Sequence, residues 1–168
     1  MAEPLTAFQG SALYLDTVIL VGFMDTESPW HSACRQLLYR AIDPAHPIRL
    51  VTATLTIDET VFVLLEGLVQ RPPYGVTRGR GRYLRSHPEV VRELMTSVDY
   101  WVRNWLGVVS LEPVLAEDIT AMRQAMMATG LLPRDAIHLS VMRRPGITAI
   151  ASDDDDFNRH PDIALFKP

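Results

Sequence analysis

The stretch that decides the fold is ALYLDTVIL at residues 12–20. Its apolar first half reads as a short buried strand over 11–15 that ends at Asp16. The apolar residues that resume at once, over 17–24, read as a helix starting just after that strand. A carboxylate set between two buried elements is an expensive place for charge and needs a partner. The arrangement recurs three times: Glu59 in TLTIDETVFVLLEGL at 54–68, Asp135 in LLPRDAIHLSVM at 131–142, and Asp154 in TAIASDDDDFNRH at 148–160. Lys and Arg are few in these segments. Acids converging from them on one point call for a cation, and hard divalent ions such as Mg²⁺ and Mn²⁺ favour such oxygen ligands.

Outward from these four segments, strand and helix patterns alternate. Ser28 reads as an N-cap with Pro29 at the first helical position, opening a helix to about residue 41. A second strand is expected over 48–52. The next helix starts near Thr54 or Thr56 and runs to Val69. Thr56 and Glu59 also fit a capping box, which leaves a purely structural role open for Glu59. RPPYGVTRGRGRYLR at 71–85 breaks the pattern and is expected to be an Arg/Gly-rich loop over about 71–87. Beyond it come a helix over 88–105, a strand over 108–111, and a helix over 114–128 closed by Gly130. Pro133 opens a last helix to about 143, followed by a strand over 147–151 and a short fifth strand over 163–166.

This alternation predicts an α/β fold, with a central, mainly parallel sheet of four or five strands and helices on both faces. Ligand sites in such sheets lie outside the carboxyl ends of the strands. Asp16 and Asp154 directly follow strands, Asp135 opens a helix, and Glu59 lies in the helix after the second strand. The topology therefore brings all four acids to one edge, although no two are close in sequence.

A chain of 168 residues with 48% apolar residues is expected to form a single domain over 1–168 with a sizeable core. One cysteine, Cys34, excludes an internal disulfide and a cysteine-based zinc site, and reads as a small buried helix residue. No apolar run approaches the length of a membrane span, and MAEPLTAFQGS lacks the basic start and apolar stretch of a signal peptide, so a cytoplasmic location is expected. The net charge of −4 gives no global sign of nucleic-acid binding, and local charge carries more weight.

The chain resembles the PIN-domain family over most of its length. YLDT at 14–17 resembles the family's first strand and leading aspartate, and the helical Glu59 its second acid. RDAIHLSVM at 134–142 resembles the third, an aspartate opening an apolar helix. SDDDDF at 152–157 resembles the family's Thr/Ser-x-Asp-x-Asp-Phe segment, with Ser152 in place of the Thr/Ser, Asp154 as the fourth acid and Asp156 as an often-present fifth. The resemblance implies a three-layer PIN-like fold and a Mg²⁺- or Mn²⁺-dependent endoribonuclease. Among small members the chain most resembles the VapC-like toxins of toxin–antitoxin pairs, which implies a cognate antitoxin and a homodimer. Val18 stands where Asn or Ser is usual, which removes one polar contact from the first motif.

Phosphodiester hydrolysis needs an activated water, a neutralised phosphate and a stabilised leaving oxygen, all of which divalent ions serve. On the resemblance, Asp16, Asp135 and Asp154 contact the metal, Glu59 holds a metal-bound water or a second ion, and Asp156 supports the set. Ser152 bonds a phosphate or orients a ligand. Two carboxylates about 4 Å apart repel by roughly 4 kcal/mol at an effective dielectric of 20. Without an ion, the cluster is expected to relieve this by holding protons at raised pKa values.

Arg134, beside Asp135, is a candidate phosphate contact. Arg78, Arg80 and Arg82 are candidate contacts to the RNA backbone, with Tyr74 and Tyr83 as stacking partners. His138, one turn after Asp135, reads as a packed or surface histidine, with an RNA contact or a proton-buffering role as the alternative. The amphipathic helices near 29–41 and 56–69 either form a groove for an antitoxin segment or simply pack on the sheet. Three other functions remain open at this point: an RNA-processing nuclease with no toxin role, a PIN-like binding module without catalysis, and a phosphatase on a doubly wound fold, which typically wants a second aspartate where this chain has Val18. The second has no need of four acids together.

Overall fold

The computed structural model describes residues 2–168. Its centre is a parallel sheet of six strands: β1 (Glu3–Pro4), β2 (Ala12–Leu15), β3 (Arg49–Ala53), β4 (Val109–Glu112), β5 (Ala149–Ala151) and β6 (Ala164–Lys167), in the order β1-β6-β5-β2-β3-β4. Every pairing is parallel; β2 lies centrally, with Leu13 beside Leu50 of β3 and Tyr14 beside Ile150 of β5. The extra strand over the expected four or five is β1. It has two exposed residues, Glu3 and Pro4, paired to Phe166 and Lys167, and so carries no apolar signal.

Seven α-helices are described: α1 (Thr17–Met24), α2 (His31–Ala41), α3 (Thr54–Gln70), α4 (Arg80–Ser86), α5 (Pro88–Leu106), α6 (Ala116–Thr129) and α7 (Pro133–Arg143). Side chains alternate across the strands and so divide the core in two. Leu13 and Leu15 of β2, Leu50 of β3 and Phe166 of β6 pack with Ile19, Leu20, Phe23, Leu37 and Trp105, from α1, α2 and α5. Tyr14, Val51, Ile150 and Leu165 point the other way, against Ala125, Ala136, Leu139 and Met142 of α6 and α7. A smaller apolar cluster (Leu64, Leu65, Val69, Leu84, Val90, Val98) joins α3, α4 and α5. Cys34 sits wholly inside the first layer, and burial pushes its thiol up to about 12, so it is an inert core residue.

Three local expectations differ. The helix expected to start at Ser28-Pro29 begins at His31. Ser28 Oγ accepts the Trp30 N–H within a turn and does not cap the helix. The capping box of Thr56 and Glu59 does not form: α3 starts after Ala53, so Thr56 lies inside the first turn, fully buried, and the Glu59 carboxylate is free to reach across to other elements. The expected loop over 71–87 is interrupted by α4. Gly79, at φ 63°, turns the chain into that helix, and Leu84 anchors it in the third cluster. Gly81 lets it lie close to α3: a Cβ there would stand 3.1 Å from the Phe62 ring and 3.1 Å from Glu66 Oε1. Gly130 closes α6 as expected, at φ 73°, donating to Met126 O.

Candidate active site

The four acids meet at the carboxyl edge of the sheet: Asp16 and Asp154 follow strands, Asp135 lies in the first turn of α7, and Glu59 lies in the second turn of α3. Asp16 follows β2 and caps α1: its Oδ1 accepts the Thr17 N–H at 2.7 Å. Its Oδ2 accepts the Ser152 hydroxyl at 2.6 Å, and the same Ser152 Oγ accepts the Asp154 N–H at 3.0 Å. Ser152, just past β5, therefore ties the loop carrying Asp154 to Asp16. It is fully buried, so its hydroxyl serves as an orienting group inside the protein, and a direct contact from it to a phosphate does not fit this burial. Asp154 Oδ1 in turn accepts the Asp156 N–H at 2.8 Å, capping the short 3-10 turn that follows.

Asp135, two residues past Pro133 in the first turn of α7, completes a cluster. One carboxylate oxygen from each of Asp135, Asp154 and Asp156 lies within 4.8 Å of the others. Asp156 is also paired with Arg159 at 2.9 Å. The Asp135 carboxyl is raised from 3.8 to about 6, first by burial and then by Asp154, Asp16, Asp156 and Glu59. Burial is the larger cause, and the neighbouring carboxylates add to it. The donor set, all carboxylate oxygen with no thiolate, suits Mg²⁺ or Mn²⁺, and the excess negative charge felt at Asp135 is what such an ion would neutralise.

Glu59, from α3, faces the same space without joining the cluster. Its Oε2 accepts the Thr17 hydroxyl at 3.1 Å, and its Oε1 pairs with Arg134 at 2.5 Å. Arg134 is still 58% exposed in its side chain, so it is available at the mouth of the site. His138 is buried with Nδ1 2.9 Å from the Tyr14 hydroxyl. Burial lowers its pKa against the opposing pull of Asp16 and Glu59, which favours the neutral ring. Asp16, Glu59, Arg134, Asp135, His138 and Asp154 line one cavity of about 390 Å³, walled on its apolar side by Val18, Val21 and Val63. Val18 thus occupies the wall where the resemblance expects a polar group. Arg78, Arg80 and Arg82 do not line this cavity; Arg80 is held by Gln70 and Glu66 on α3.

A family model described as PIN domain matches residues 13–163. The chain belongs to the PIN-domain family. Solved structures share the fold. VapC20 of Mycobacterium tuberculosis, a toxin that cleaves the sarcin-ricin loop, is 17% identical over 87% of this chain and 92% of its own, with a TM-score of 0.55. VapBC2 of Rickettsia felis, bound to a DNA fragment from its promoter, is 14% identical over 93% and 98%, with a TM-score of 0.56. FitAB bound to an IR36 DNA fragment is 13% identical over 93% and 94%, with a TM-score of 0.55. No curated protein matches the chain by sequence.

Within this PIN fold, sequence reasoning missed Thr17 as the link between Glu59 and the strand end. Its position directly after Asp16 was the available signal. Arg134 was recognised, but its ion pair with Glu59 joins residues 75 positions apart in the chain, and only packing reveals it. Among the described residues no helix is long and apolar enough to cross a membrane.

Proposed function

We propose that this PIN-domain protein is a Mg²⁺- or Mn²⁺-dependent endoribonuclease acting as the toxin of a type II toxin–antitoxin pair. The observation that carries the reading is the convergence of Asp16, Glu59, Asp135 and Asp154 on one open cavity, with Asp156 clustered against Asp135 and Asp154 and with Asp135 holding its proton up to about pH 6. Asp135, Asp154 and Asp156, with Asp16 beside them, are the residues that would hold the ion. When bound, the ion lowers the pKa of an attacking water and offsets charge on the phosphate. Ser152 donates its hydroxyl to the Asp16 carboxylate and accepts the Asp154 backbone N–H, which holds Asp16 and the loop carrying Asp154 in register before the substrate arrives. Glu59 accepts a hydrogen bond from the attacking water and orients it. Arg134 exchanges Glu59 for a phosphate oxygen, since its exposed guanidinium offers further N–H groups in a fixed fork. His138, neutral and held by Tyr14, keeps the cavity floor rigid without adding positive charge.

The toxin role is supported by the solved complexes VapBC2 and FitAB, whose fold this chain shares. It is also supported by a groove of about 290 Å³ between α1, α3 and α5, lined by Met24, Val63, Leu68 and Trp101 and adjoining the acidic cavity at Val21 and Val63. An apolar antitoxin segment lying there would reach the mouth of the site. A homodimer and a cytoplasmic location accompany this reading.

The experiment is cleavage of a pool of structured and single-stranded RNA with Mn²⁺, Mg²⁺ or EDTA, comparing wild type with Asp16→Asn. Metal-dependent cutting that disappears in the variant is expected. The fold should survive, because Asn keeps an oxygen to accept the Thr17 N–H. A fully active Asp16→Asn protein would sink the assignment.

A further inference from the structure

One apolar ring near the acidic cavity has no role in the core. Phe62, on α3, is 46% exposed, and Val63 beside it is 39% exposed and forms part of the cavity wall. Glu59, Phe62, Val63 and Glu66 follow one another at helical spacing, so one side of α3 runs from the cavity to the start of α4. At 1.5 Å rise per residue, Phe62 stands about 4.5 Å beyond Glu59 along the axis, and Glu66 about 10 Å beyond it. There α4 meets α3, and Gly81 is in place to leave room for the ring: any larger residue would press on Phe62. Arg80 is committed to Glu66 and Gln70, whereas Arg78 and Arg82, on either side of it in sequence, are exposed and make no ion pair among the described residues. The segment 71–87 contains no acid. A flat apolar face next to uncompensated guanidinium groups, on the same helix as an acidic cavity, matches a single strand of nucleic acid, whose bases stack and whose backbone is anionic.

We propose that Phe62 is a stacking platform for an unpaired base flanking the scissile phosphate, and that Arg78 and Arg82 hold the strand's backbone beyond it. A base locked in a duplex presents no face to the ring, so the platform engages a base only where the strand is unpaired. This rests on the nuclease reading, and it adds a base-contacting residue that the carboxylates do not supply.

The test uses Asp16→Asn as a non-cutting background with Mg²⁺ present, and measures binding of a labelled single-stranded RNA of mixed sequence by fluorescence anisotropy across a salt series. Phe62→Ala and Phe62→Leu are expected to weaken binding roughly 5- to 100-fold, the range seen when a stacked base is deprived of its aromatic partner. The slope of log affinity against log salt should not change, since a stacked base releases no counter-ions. Phe62→Trp is expected to bind like the background protein. Arg78→Gln with Arg82→Gln should instead flatten the slope, by about 0.7 for each phosphate that an arginine had neutralised. Binding by Phe62→Ala and Phe62→Leu equal to that of the background protein would overturn the proposal while leaving the nuclease reading intact, and would leave the ring to a protein partner. Absence of RNA binding by the background protein itself, together with no cutting by wild type, would overturn both.

Discussion

Asp135 holds a proton near pH 6 because it opens α7 in a partly buried position facing Asp154, Asp16, Asp156 and Glu59. The folded chain disfavours its ionised form, so the group binds more protons folded than unfolded between its ordinary 3.8 and about 6. Its contribution to metal-free stability therefore falls as pH rises through that window and recovers as pH drops. Asp135→Asn is expected to be more stable than wild type in EDTA at pH 7.5, with the gap closing toward pH 4; paired urea titrations at the two pH values measure it. Ion binding follows the opposite sign, since a ligand carboxylate must be deprotonated. Calorimetric titration of wild type with Mn²⁺ should show affinity declining below about pH 6. A pH-independent affinity would remove Asp135 from the ligand set. Ser152 works through other residues: it is buried, and its one hydroxyl ties Asp16 to the loop that carries Asp154.

At the scale of elements, the site depends on where helices begin. Thr17 starts α1 directly after Asp16, and Pro133 starts α7 two residues before Asp135. Both starts are legible, because an apolar run after a strand and a Pro at the first helical position are local signals. The start of α3 was less legible: Thr56 and Glu59 match a capping box, yet the strand before them ends at Ala53 and the helix begins at once. The Arg/Gly segment misled for a related reason. Gly79 and Gly81 suggest a loop, while in the structure the first turns the chain into α4 and the second admits the helix against Phe62. Gly130 joins α6 to α7 in the left-handed region, where a side chain costs about 1 kcal/mol. Gly130→Ala is expected to lower stability by that amount in a denaturant titration, with m unchanged. A neutral result would mean that the α6–α7 turn relaxes freely.

Taken as a whole, the molecule gathers its acids from β2 and α1, from α3, from α7 and from the turn after β5, so an ion held among them ties separate parts of the fold together. Mn²⁺ at about 100 times its dissociation constant should add about 2.7 kcal/mol, which in a chain of this size raises Tm by roughly 5–10 °C. EDTA should reverse the rise and Asp154→Asn should abolish it, both read by thermal melting; an unchanged Tm would speak against a resident ion. By itself the sequence determined the alternating elements, the parallel sheet and the edge at which Asp16, Glu59, Asp135 and Asp154 meet, because period, caps and strand ends are local and the handedness of parallel crossovers leaves few topologies. Only the tertiary structure decided the pairing of Arg134 with Glu59, the bridging by Ser152, the Tyr14–His138 bond and the place of Phe62 beside Gly81. Those contacts join residues far apart in the chain, and their distances follow from how helices pack on the sheet, which no local pattern encodes.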